Sequence, residues 1–153
     1  MESGQINDLD ADILRLLMKN SRMPLGEISS RLKTSKSTVH YRIKRLEEEG
    51  TLEGYYAKVN PEKLGLDFTA ILSIRVKYGT RYRESVGEFL AKLPGVIGVY
   101  FLFGETDFLV IMRSHNSQDL FGKLEKLYSM QEIERTSTVI VAKTVKEDPR
   151  LQI

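Results

Sequence analysis

The stretch Arg31–Gly50, RLKTSKSTVHYRIKRLEEEG, decides how the rest of the chain is read. Six basic residues, Arg31, Lys33, Lys36, Arg42, Lys44 and Arg45, precede its first acid at Glu47. Val39, Ile43 and Leu46 recur at i, i+4 and i+7, which places them on one face of an α-helix. Ser37, Tyr41 and Lys44 then point the other way. A helix apolar on one side and basic on the other is suited to meet phosphates, with a solvated charged face as the plainer reading. Ser35 is a good N-cap, because its hydroxyl accepts from the free amides of the first turn. Gly50 suits the C-terminal end. Arg42 lies about 60° from the centre of the apolar stripe at 100° per residue, so an ion pair with an acid of the first helix is expected of it.

Working back toward the N-terminus, Asn7 or Asp8 caps a first helix whose early turn carries Asp10 and Asp12, favourable at the positive end of the helix dipole. Leu9, Ile13, Leu16 and Leu17 form its expected buried stripe. Pro24 suits the first turn of a short second helix in which Leu25, Ile28 and Leu32 share a face. Lys33-Thr34 is the turn into the third. Three helices with a tight turn between the second and third are what a helix-turn-helix requires. In that arrangement Lys36, Ser37, Thr38, His40 and Tyr41 occupy the end of the helix that approaches base edges. Lys44 and Arg45 are read as phosphate contacts.

Working forward, the periodicity changes. TLEGYYAKV (51–59) reads as extended, a short hairpin or connecting strand, and the domain boundary is expected near residues 60–66, dividing the chain into 1–60 and 61–153. FTAILSIRV (68–76), VIGVYFLF (96–103), FLVIMRS (108–114) and IERTSTVIVAKTV (133–145) read as strands. RESVGEFLAKL (83–93) and SQDLFGKLEKLYSM (117–130) read as helices, the latter with Leu120, Phe121, Leu124 and Leu127 on one side. The order β-α-β-β-α-β is the ferredoxin-like arrangement of one sheet with two helices on one face. The fold class is therefore α+β: a helix-turn-helix followed by a ferredoxin-like domain. Segments 96–103 and 108–112 are apolar at nearly every position, whereas a sheet with one wet face should alternate. A homodimer covering the open face or edge is expected.

Composition limits the alternatives. The 153 residues suffice for one domain or two small ones, and 41% apolar with 29% charged residues is ordinary for a soluble globular chain. The sequence contains no cysteine, which excludes disulfides, thiolate nucleophiles and Cys-based zinc sites. His40 and His115 are too few and too far apart to suggest a metal site. No run approaches a membrane span and no signal peptide is legible, so a cytoplasmic location is expected. The net charge of +2 conceals an uneven distribution: residues 61–153 carry 13 basic and 12 acidic side chains, against six and none in residues 31–45.

Further marks are shared with a known family. Asp8-Leu9-Asp10-Ala11-Asp12-Ile13-Leu14 fits D-x-D-x-x-I-L loosely. Within Ser35 to Glu47, residues 35–38 fit S-x-[ST]-[TV] and residues 42–47 fit R-[IV]-x-[RK]-L-[EK]. Gly50 to Tyr55 fits the wing pattern G-x-[IL]-x-G-[YF]. Gly104 to Phe108 fits the turn G-x-x-D-[YF], and Glu134 to Thr138 contains R-T-x-[ST]. With these the chain resembles the Lrp/AsnC (feast/famine) transcriptional regulators over nearly its whole length, in a short archaeal-type format. It departs at Lys33-Thr34, where many members carry a glycine-containing turn.

The resemblance implies a dimeric, often octameric, regulator of double-stranded DNA whose C-terminal domain binds a small amino acid. On that basis Gly104 and Asp107, with hydroxyls from Tyr78, Thr136 and Thr138, are the effector candidates; a β-turn with an Asx hydrogen bond is the plainer reading of the first two. No cofactor is implied beyond the effector. The same two-domain plan also resembles certain haem-pathway decarboxylases, but the second domain carries only His115 and the basic patch lies in the first.

Overall fold

The computed structural model describes residues 6–77, 80–151 and 153 of the chain. It divides into two compact units, Met1–Lys58 with Glu147–Ile153 and Val59–Lys146. By packing, the last residues group with the first unit, whereas the expected division assigned everything after residue 60 to the second.

The first unit is built on three helices, α1 (Asp8–Lys19), α2 (Leu25–Arg31) and α3 (Lys36–Glu48). Asn7 caps α1 in a reciprocal box: its side chain accepts from the Asp10 amide at 2.9 Å, and the Asp10 carboxylate accepts from the Asn7 amide at 3.4 Å. Ile13, Leu14 and Leu17 are buried on α1, with Leu9 and Leu16 only partly so. The expected stripe thus turns by about one residue toward Leu14. Met23, Ile28, Val39 and Ile43 complete this core, while Leu25, expected beside Ile28, is exposed. Between α2 and α3 the backbone turns through Lys33, whose φ of 51° lies in the left-handed region. A glycine is the usual solution there; here a lysine takes it, at a cost of about 1 kcal/mol. The Thr34 amide closes the turn on the Ser29 carbonyl at 3.0 Å.

The stretch 51–59, read as extended, forms no strand: Thr51 and Leu52 bend and residues 53–59 join no ladder. A strand needs a neighbour for its amides and carbonyls, and none of the described residues supplies one here.

The second unit opens with a 3-10 turn (Pro61–Leu64) that the sequence reading missed, then β1 (Phe68–Val76), α4 (Thr80–Ala91), β2 (Val96–Phe101), β3 (Phe108–Ser114), α5 (Ser117–Tyr128) and β4 (Ile133–Ile140). The four strands form one antiparallel sheet in the order β2-β3-β1-β4. Ala70, Leu72 and Ile74 pair with Met112, Val110 and Phe108, and these six side chains are buried with Val86, Leu90, Leu120, Leu124 and Leu127 of the helices. Phe121, expected among that helical set, is 59% exposed. The opposite face carries Ile71, Leu109 and Ile111, each only partly covered, and the exposed Tyr100 and Val139.

Candidate functional site

Ser35 starts α3 from an extended conformation, its hydroxyl accepting from the Thr38 amide at 3.0 Å. The hydroxyls of Ser37 and Thr38 lie 2.8 and 2.7 Å from the same oxygen. Val39 and Leu46 are fully buried and Ile43 nearly so. That burial fixes the rotation of the helix: Lys36, Ser37, His40, Tyr41 and Lys44 are exposed, Tyr41 at 65%, with Thr38 half-buried. The structure thus brings six of the seven expected DNA-contact residues onto one accessible side. Lys44 is within 3.5 Å of Glu48, a solvated pair one helical turn apart that DNA phosphates can displace at little cost.

Arg45 is the exception. Expected at phosphates, it reaches back to Asp10, its Nη2 2.5 Å from Oδ2, and is only 30% exposed. Arg42 approaches the same oxygen at 3.5 Å, the ion pair with an α1 acid that its position near the stripe suggests. Asp10 is fully buried, so two guanidinium groups converge on one carboxylate oxygen in the core of the unit. A buried charge is tolerable only when paired, and here the pairing locks α3 to α1.

Three further residues support this surface. A Cβ on Gly26 would come within 2.9 Å of Lys36 Cε, so the absence of a side chain on α2 lets the lysine stem lie across it. Tyr55 in the extended segment donates its hydroxyl to Glu47 Oε1 at 2.9 Å, tying residues after the helix to its far end. Burial, with Glu47 beside it, pushes the Tyr55 phenol up to about 12. Among the described residues no group of three or more His, Cys, Asp or Glu could hold a metal ion.

In the second unit the turn between β2 and β3 carries Gly104 and Asp107. The Asp107 amide donates to Ile74 O at 3.0 Å and its carboxylate accepts from the Val76 amide at 2.9 Å, so it extends the β1–β3 ladder past its last paired residues. This bond runs across strands. Nothing lies within 4 Å of where a Gly104 Cβ would stand. Thr136 and Thr138 pair with Ile74 and Leu72, both half-buried on the helix-covered side of β4. Thr136 therefore shares the Asp107 end of the sheet, two strand spacings (~10 Å) across. Arg75, missed in the sequence, lies at that end too, donating to Glu105 O at 2.9 Å and lying 3.6 Å from Glu134. Tyr78 lies outside the described residues.

A three-helix unit with an exposed basic recognition face, joined to a four-stranded antiparallel sheet backed by helices, defines a two-domain DNA-binding regulator. Comparison with known proteins agrees in both halves. Residues 6–53 match the model of the winged helix-turn-helix DNA-binding domain, and residues 69–151 match that of the Lrp/AsnC ligand binding domain. The chain is 39% identical over 150 residues to the HTH-type transcriptional regulator FL11 of Pyrococcus furiosus, covering 98% of each, and 38% identical to FL11 of Pyrococcus abyssi, covering 97% of each. A transcriptional regulator of Neisseria meningitidis, solved as a complex with L-Met, superposes with a TM-score of 0.89 at 27% identity, and Escherichia coli AsnC with 0.83 at 26%, each over 97% of both chains. The chain belongs to the Lrp/AsnC family of transcriptional regulators. Its relatives are regulators rather than enzymes, which disposes of the decarboxylase alternative. Among the described residues no helix is long and apolar enough to cross a membrane.

Proposed function

We propose that the protein is a cytoplasmic, sequence-specific regulator that binds double-stranded DNA as a homodimer and responds to a small amino acid in its sheet unit. The observation that carries the DNA half is the division of α3: Val39, Ile43 and Leu46 are buried while Lys36, Ser37, His40, Tyr41 and Lys44 are exposed. Lys36 to Tyr41 contact base edges, Lys44 contacts phosphate, and Arg45 with Arg42 holds the helix on Asp10. Two copies in successive major grooves require a rough palindrome with half-sites about one helical turn apart.

The apolar open face, with Ile71, Leu109, Ile111, Tyr100 and Val139, favours the second copy, and further assembly to an octamer is what the family resemblance implies. The effector reading rests on the Gly104–Phe108 turn and on the L-Met complex of the Neisseria regulator, whose fold this chain shares. An α-ammonium is received by the Asp107 carboxylate, which has lone-pair capacity for more than one donor, with Gly104 leaving room and hydroxyls from Thr136, Thr138 and Tyr78. The ligand shifts DNA affinity only by its differential affinity for the assembly states.

Calorimetry with a panel of amino acids tests the effector reading. One saturable binder that Asp107→Ala weakens tenfold or more is the expected result, and undiminished binding by that variant rejects the role.

A further inference from the structure

The first unit contains a cavity of about 490 Å³, within the ~300–1,000 Å³ range of small-ligand sites. Leu14 and Leu17 of α1, Leu52 and Tyr56 of the extended segment and Leu151 of the returning segment give it a largely apolar lining. The charges on that lining are unbalanced: Lys19, Arg22, Lys58 and Arg150 face one acid, Asp148, for a net charge of +3. Asp148 is already committed, receiving the Arg150 Nε and Nη2 at 2.8 Å each, and that pairing with Lys58 nearby holds its carboxyl well below the usual range. Lys19 and Arg22 have no carboxylate partner among the described residues. The three walls come from separate parts of the chain, with the returning segment also anchored by Arg15, whose Nε donates to Ile153 O at 2.7 Å.

An apolar cavity with unneutralised cations fits a molecule that has an apolar body and one anionic group. A DNA backbone would use the cations and leave the exposed apolar wall of Tyr56 and Leu151 without a function, and a neutral apolar molecule would leave the cations without one. We propose that this cavity is a second ligand site, in the DNA-binding unit, for a small apolar carboxylate, aliphatic or aromatic, with Lys19 and Arg22 receiving the carboxylate. It is separate from the amino-acid site proposed for the sheet unit and does not depend on it.

Calorimetric titration of the full chain with octanoate, phenylacetate and 1-octanol tests this. One saturable site per chain is expected for at least one of the two acids, tighter than 1-octanol by tenfold or more, and the better acid identifies the aliphatic or aromatic source. Lys19→Gln combined with Arg22→Gln weakens the acid at least tenfold. Leu151→Glu does the same by placing a carboxylate on the wall. These three side chains are exposed, so the variants keep the fold, checked by an unchanged melting profile. Phe103→Ser, at a 94% exposed position of the sheet unit, leaves binding unchanged. The absence of saturable acid binding, equal affinity for octanoate and 1-octanol, or full binding by both cavity variants overturns the proposal. So does a change of oligomeric state on Leu151→Glu without acid binding in the parent, because a second copy then occupies the cavity.

Discussion

The two units place their proposed site residues differently. In the first, the side chains proposed to face DNA all come from one helix, Lys36–Glu48, whose buried stripe sets their direction. In the second, the proposed effector residues Gly104 and Asp107 come from a turn, while Thr136 and Thr138 come from a strand about thirty residues later, brought to one sheet by the β2-β3-β1-β4 order. A surface on one helix is specified by local periodicity. A site assembled across strands is specified only by tertiary pairing, and in a dimer it also depends on the second copy.

The largest effect expected on either unit is at Asp10. Asp10→Ala leaves two guanidinium groups facing a core without their counter-charge and should destabilise the first unit by about 3 kcal/mol in urea denaturation, the cost of breaking a buried pair from one side. A loss below about 1 kcal/mol would mean that α3 is held by Val39, Ile43 and Leu46 alone. On the second unit, Ile111→Asp puts a charge on the open face and should weaken dimerisation at least tenfold, about 1.4 kcal/mol, by sedimentation equilibrium. Unchanged association would place the interface elsewhere.

Lys33→Gly relieves the positive φ of the turn and should stabilise the first unit by about 1 kcal/mol, roughly 4–8 °C for a domain of 60–100 residues. Lys44→Ala should weaken binding to all duplexes alike and lower the salt slope of the affinity by about 1, leaving sequence preference intact. The smallest effect concerns Tyr55. Its raised value means that the folded state keeps the proton after an unfolded tyrosine, near 10, has lost it. The contribution is complete below pH ~10 and is lost as pH rises through about 12. Ultraviolet titration should show a late tyrosine step that Tyr55→Phe removes.

Much of this was legible from residue order, for reasons that differ along the chain. The 3.6-residue period of Val39, Ile43 and Leu46 identified the third helix and its faces, and β2 and β3 begin where expected because Pro94-Gly95 and the Gly104–Asp107 turn punctuate them. The pairing of Arg45 was not legible because Arg45 lies about 60° beyond Arg42 on the same side of the buried stripe, where the period alone turns it toward solvent, and the partner that captures both, Asp10, lies 35 positions from it. One signal was present: Asn7 and Asp10 three apart form a capping box, which draws the carboxylate to the helix start and into the unit. The return of Glu147–Ile153 to the first unit left no local trace, since docking of a short segment depends on a surface assembled from α1 and residues 52–58.

The central claim is that the exposed side of α3 reads base sequence. Fluorescence anisotropy at one fixed salt concentration, comparing an operator selected from random duplexes with a scrambled duplex of the same length, tests it in the parent protein and in His40→Ala combined with Tyr41→Ala. The parent should prefer the operator by about a thousandfold or more, and the variant should lose most of that preference while keeping its scrambled-duplex affinity within a few-fold. A parent that binds both duplexes equally, or a variant that keeps the full preference, would contradict the account.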